Sequence, residues 1–158
     1  MSVRLPVPVK GAVALATAVV ASTAATSADE LRPSNCLDGR RPALLQGRFS
    51  GPLICSKRNA TFTFVGLTAG QKLAVYDYRY RFLPAHGSVM HGGQRIVVFR
   101  GSRYIGQYAL ATPPYTAVTV NGPNIVLRTP GETSVLLDLS RTPPKEILVN
   151  GEVETFFR

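Results

Sequence analysis

Two stretches, TPPYTAVTVNG at residues 112–122 and TPPKEILVNG at residues 142–151, nearly repeat one another. Each opens on Pro-Pro, a stiff lead-in that donates no backbone hydrogen bond. Each then runs through a short apolar segment and closes on Asn-Gly, the strongest short hairpin signal a sequence carries. Aligned from their prolines, the second copy reaches Val-Asn-Gly one residue early. A one-residue offset in a strand exchanges its two faces, so the copies need not present equivalent surfaces. The likeness is therefore the grammar of lead-in, strand, turn and return strand. The return strands are NIVLR at 124–128 and EVETFF at 152–157.

The same grammar extends in both directions. PALLQGRFS (42–50) is a candidate first strand. ATFTFVGL (60–67) alternates aromatic residues with threonine, placing Phe62 and Phe64 on one face. QKLAVYDYRYRF (71–82) is the longest apolar-rich run, and QRIVVFR and RYIGQYAL flank Gly101-Ser102, which suits a type II′ turn. TSVLLDL follows a turn at Pro130-Gly131. After residue 28 no segment keeps apolar residues at helical spacing over three turns, and 12 prolines with 14 glycines punctuate the chain too often for long helices. The pattern predicts an all-β domain, an antiparallel sandwich or small barrel of about nine or ten short strands joined by hairpins.

The first residues read differently. Arg4 and Lys10 precede an apolar stretch rich in small residues, followed by Thr26 and Ala28 at the positions a signal peptidase reads. Residues 1–28 are expected to be a signal peptide, with Ala25 as the alternative cut. The stretch is too poor in strongly hydrophobic residues to be a stable membrane anchor, and no second one approaches membrane length. No transmembrane segment is therefore expected in the mature chain. Residues 29–41 read as an irregular polar leader, and residues 42–158 as a single β domain. The only two cysteines, Cys36 and Cys55, are expected to pair, as exported proteins permit. Closing that loop is worth about 3 kcal/mol in the chain-entropy view. The expected location is periplasmic or extracellular.

Charge points toward binding. Removing Arg4 and Lys10 takes the formal net charge from +9 to +7, and arginine supplies most of the cations. Arginine grips carboxylates and phosphates in a forked geometry and stacks on rings. The distinctive stretch is YDYRYRF (76–82), where Tyr76, Tyr78, Tyr80 and Phe82 share one strand face and Asp77, Arg79 and Arg81 the other. Exposed, the tyrosines would form a stacking platform. Inward-facing, they would belong to the core, leaving the arginines in solvent. Tyr78, Arg79, Tyr80 and Arg81 are the candidate ligand-binding residues, extended by Arg100 and Arg103 if their hairpin lies beside this strand.

Catalytic and metal patterns are thin. His86 and His91 sit in a glycine-rich stretch without the third ligand a metal site needs. There is no G-x-S-x-G elbow, and Glu152 with Glu154 reads as a solvated strand edge rather than a glycosidase pair. Asn59-Ala60-Thr61 matches a glycosylation triplet that arises often by chance. No cofactor or metal is called for, and export argues against a nucleic-acid partner. The sequence points to an exported, non-enzymatic binding domain for an anionic polysaccharide, an envelope component or an acidic protein partner. A structural subunit of a surface assembly is the first alternative; an unrecognised hydrolase or metalloprotein is the second.

Overall fold

A computed structural model describes residues 36–111 and 114–158; the expected signal peptide and most of the leader lie outside the described residues, as do Thr112 and Pro113. Among the described residues the fold is nearly all β, with nine strands in two antiparallel sheets. The strands are β1 (Ala60–Leu67), β2 (Leu73–Phe82), β3 (His91–Arg100), β4 (Arg103–Leu110), β5 (Ala117–Asn121), β6 (Asn124–Arg128), β7 (Val135–Asp138), β8 (Glu146–Val149) and β9 (Glu152–Phe157). One sheet has six strands in the order β1-β2-β3-β4-β9-β8, and the other is the meander β5-β6-β7.

The turns set this order. Gly101 has φ +61 and Ser102 has a negative φ, so the two-residue β3–β4 loop has the backbone expected from sequence. Asn150 and Gly151 both take left-handed φ, as a type I′ hairpin between β8 and β9 requires. Pro130-Gly131 makes a tight turn closed by the Glu132 N–H on Thr129 O.

The six-stranded sheet is buried on both faces. Leu73, Val75, Ile96, Val98 and Tyr108 pack from it against Ile125, Leu127, Leu137 and Leu139 of the second sheet and its margin, which makes a sandwich core. At one edge the sheets meet where the Ala69 N–H donates to Gly122 O and the bulge between Phe64 and Gly66 brings β1 close to Val120. The other face carries Tyr76, Tyr78, Tyr80, Val97, Phe99 and Tyr104 beneath Cys36, Leu37, Leu44, Phe49 and Leu53. Residues 36–59 therefore form a third layer, tied down by the Cys36–Cys55 disulfide.

One expected strand is a helix. PALLQGRFS contributes to α1 (Arg41–Gln46), a short helix with Pro42 in its first turn. Arg48 takes a left-handed φ of +59, the Phe49 N–H reaches back to Leu44 O, and the Arg48 N–H reaches Leu45 O. This is a Schellman ending, completed by Phe49 and Leu44 in one core cluster. The segment is too short to show helical periodicity, and its two leucines diverge: Leu44 is fully buried and Leu45 is exposed.

Candidate functional site

The YDYRYRF strand is β2, and its tyrosine stripe faces inward. Tyr76, Tyr78 and Tyr80 are at most 6% exposed. Tyr80 has room because its partner on β3 is Gly93; a Cβ there would collide with the tyrosine Cζ. Each hydroxyl ties the irregular layer or a neighbouring cation. The Tyr78 hydroxyl donates to Pro52 O at 2.8 Å and accepts from the Ile54 N–H at 2.9 Å. Tyr76 accepts from Arg40 Nε, and Tyr80 from Arg95 Nε.

The opposite stripe of β2 is also engaged. Arg79 pairs with Asp77 at 2.8 Å, the one ion pair among the described residues. It also donates to Thr116 O and lies 5.2 Å from the Tyr115 ring centroid. Asp77, Gln94 and Thr116 are buried. Gln94 binds Asp77 Oδ1 and Thr116 O through its amide nitrogen and takes the Thr116 N–H on its oxygen. Arg79 thus anchors the β4–β5 connection. Arg81 is exposed near the other end of β2.

Arg100 and Arg103 do not extend the Arg81 surface. The ladder pairs Arg100 with Leu73, at the start of β2, while Arg81 pairs with Gly92 near its end. Eight residues of strand separate those positions, roughly 26 Å at 3.3 Å per residue. The structure therefore divides the six expected residues. Tyr78 and Tyr80 lie in the core, Arg79 in a polar network, Arg81 at one end of the sheet, and Arg100 and Arg103 at the other.

Arg103 instead joins residues that sequence spacing does not connect. Gln46, Gly47 and Arg48 from the end of α1, Ser102–Tyr104 from the β3–β4 hairpin, and Arg158 after β9 line a concavity of about 760 Å³. The chain folds locally to build it. The left-handed Arg48 ends α1 over β4, and Gly47 approaches so closely that a Cβ would collide with Tyr104 Cδ1. Arg158 is held by its Nε–H on Ile105 O at 3.1 Å. No Asp or Glu side chain lines the concavity. Across Ser102 a second recess of about 570 Å³ carries Arg40 and Lys72, with Asp38 as its one acid.

Tyr104 forms the floor. It is 3% exposed, and its hydroxyl is buried without a hydrogen-bond partner among the described residues. Burial pushes its pKa well above the usual phenol range, opposed by the charges of Arg95 and Arg158. The hydroxyl is therefore a neutral donor. Two further orphaned polar atoms, Arg95 Nη1 and Gln107 Oε1, lie on the same face of the sheet. Gln107 donates to Ser50 O at 2.6 Å, and the Arg95 guanidinium sits among the rings of Phe49, Tyr80 and Phe157. The guanidinium groups of Arg48, Arg103 and Arg158, all exposed, suit carboxylate, phosphate or sulfate oxygens.

The other sequence candidates stay apart. His86 is exposed in the β2–β3 loop, and the His91 ring is 5.7 Å from that of Phe82. Among the described residues no three His, Cys, Asp or Glu side chains group as a metal site. Glu154 accepts the Ala111 N–H, and burial raises its pKa above the usual carboxylate range. No helix of the described residues is long and apolar enough to cross a membrane. Arg48, Tyr104 and Arg158 escape sequence reasoning because they lie far apart in the chain. The absence of any acid between residues 78 and 131 marks the surroundings of Tyr104 but not Arg48 or Arg158. Comparison of the chain with protein-family models, curated proteins and solved structures finds no match.

Proposed function

We propose that the protein is an exported, non-enzymatic binding domain of the periplasm or extracellular space. It holds the anionic groups of an envelope polysaccharide or a comparable polymer in the Arg48–Arg103–Arg158 concavity. The observation that carries this reading is the convergence of three arginines, from three separate segments, on a recess with no acidic side chain. Like charges gathered this way repel each other, and an anion relieves that repulsion while accepting forked hydrogen bonds. Arg40 and Lys72 across Ser102 extend the cationic surface, so a polymer with repeating charges fits better than a single small ion. The disulfide supports an exported setting.

The binding class expected from sequence is kept, but the site moves from β2 to the β3–β4 hairpin. The test is retention on a phosphate- or sulfate-bearing matrix across a salt gradient. The triple change Arg48→Gln, Arg103→Gln and Arg158→Gln is expected to elute at clearly lower salt than the charge-matched triple change Arg81→Gln, Arg128→Gln and Arg141→Gln. Equal shifts for the two variants would mean only overall charge matters, and the concavity would lose its role.

One observation favours the assembly reading as a second. β1 is an edge strand of eight residues with no charge and no proline, and its Phe64 is half exposed. Such an edge can take an added strand. Light scattering over a concentration series separates this from a monomeric binder: growth in mass that Thr63→Lys abolishes would support strand addition.

A further inference from the structure

The end of the sheet opposite the concavity has a different chemistry. Among the described residues, ten large hydrophobic side chains are exposed, and four of them fall within nine residues: Phe82, Leu83, Val89 and Met90, at 36–67% exposure. They sit at the β2–β3 hairpin, whose last pair is Phe82 with His91. The loop beyond that pair is folded back, with the Gly87 N–H on Pro84 O. Nothing in the sandwich core uses these side chains.

Cations flank this apolar tip on the side of the Arg81–Asn59 contact. Arg81 is exposed beside it, and the Arg81 N–H donates to Asn59 O at 2.7 Å. That bond places the Lys57-Arg58-Asn59 turn alongside the hairpin, and Lys57 and Arg58 are both exposed. The nearest acid in sequence, Asp77, is buried and paired with Arg79. An exposed apolar tip bordered by basic residues without acids matches the interface of an anionic bilayer. The hydrocarbon side takes the leucine, valine and methionine, and the headgroup phosphates take the arginines and lysine.

We propose that the β2–β3 hairpin tip is a membrane-docking element that inserts shallowly into an anionic phospholipid surface. Neither part suffices alone: a few apolar side chains or a few cations give weak binding, and the pair together gives useful affinity. The tip and the β3–β4 hairpin sit at opposite ends of the ten-residue β3, roughly 30 Å apart at strand rise. Docking by the tip would therefore leave the arginine concavity facing away from the bilayer.

The test uses vesicles of phosphatidylcholine with and without about one third phosphatidylglycerol, a composition chosen to give a negative surface potential. The protein is expected to co-sediment with the anionic vesicles and not with the neutral ones. Leu83→Ser with Val89→Ser and Met90→Ser, and separately Lys57→Gln with Arg58→Gln and Arg81→Gln, are each expected to weaken binding about tenfold, a size typical of losing one of two cooperating membrane signals. The Arg48/Arg103/Arg158 glutamine variant is expected to bind vesicles as the parent does, which separates this inference from the concavity reading. The chain has no tryptophan, so Val89→Trp supplies a clean probe whose emission is expected to shift to the blue on vesicle addition. Absence of vesicle binding, unchanged binding by the serine variant, or unshifted emission from the Val89→Trp variant would each overturn the proposal.

Discussion

The two faces of the six-stranded sheet are covered in different ways. One is covered by a second sheet, β5-β6-β7, which satisfies its own backbone through a ladder. That face can be almost wholly aliphatic, with the Asp77–Gln94–Thr116 network at its margin. The other is covered by residues 36–59, where the only regular element is the six-residue α1. An irregular cover leaves backbone donors and acceptors that side chains must meet. The tyrosine stripe answers that need: its rings supply apolar burial, and Tyr78 binds the cover at Pro52 and Ile54. Among the described residues all three orphaned buried polar atoms lie on the irregularly covered face, and so does the concavity floor.

The aliphatic face is expected to give the largest loss of stability. Leu127→Ala is expected to cost about 2–5 kcal/mol, read as a lower denaturation midpoint, because Leu127 is fully packed between the sheets. Replacing Cys36 and Cys55 by serine is expected to cost about 2–4 kcal/mol. Hydrogen exchange should show the loss concentrated in residues 36–59, with β5–β7 still protected. Uniform loss over both covers would erase the distinction drawn between them. Tyr78→Phe is expected to cost about 1–3 kcal/mol, because the Ile54 N–H and Pro52 O lose their shared partner.

Alkaline pH sharpens the same point. Burial raises the pKa of Tyr78, Tyr104 and Tyr108 above the ordinary value of 10.0. Above pH 10 the unfolded chain sheds these protons while the folded chain keeps them, so stability is full below pH 10 and falls as pH rises beyond it. Denaturant midpoints at pH 8 and 11 should show the drop, smaller in Tyr78→Phe. The smallest stability change is expected at Tyr104→Phe, neutral or stabilising within about 1 kcal/mol, since that hydroxyl has no partner to lose.

The fold was largely legible because local signals agreed. Asn-Gly at 150–151, Gly-Ser at 101–102 and Pro-Gly at 130–131 each marked a turn that the chain makes. The exception, α1, is under two turns long, and its Schellman ending sets Phe49 against tyrosines from β2 and β4. The candidate site was legible only as a charge excess. Strand alternation put the tyrosines of β2 on one face, but alternation cannot say whether a face has a cover when the cover is irregular chain. Nor can spacing bring Arg48, Arg103 and Arg158 together, because that depends on α1 ending over β4 beside the return of β9.

The most direct measurement is an NMR titration of the arginine Nε–Hε resonances with a short polyphosphate or sulfated oligosaccharide. Arg48, Arg103 and Arg158 are expected to shift together and saturate, with Arg128 and Arg141 unmoved. Uniform, unsaturating shifts across all arginines, or saturation centred on Arg79 and Arg81, would contradict the concavity as the binding site.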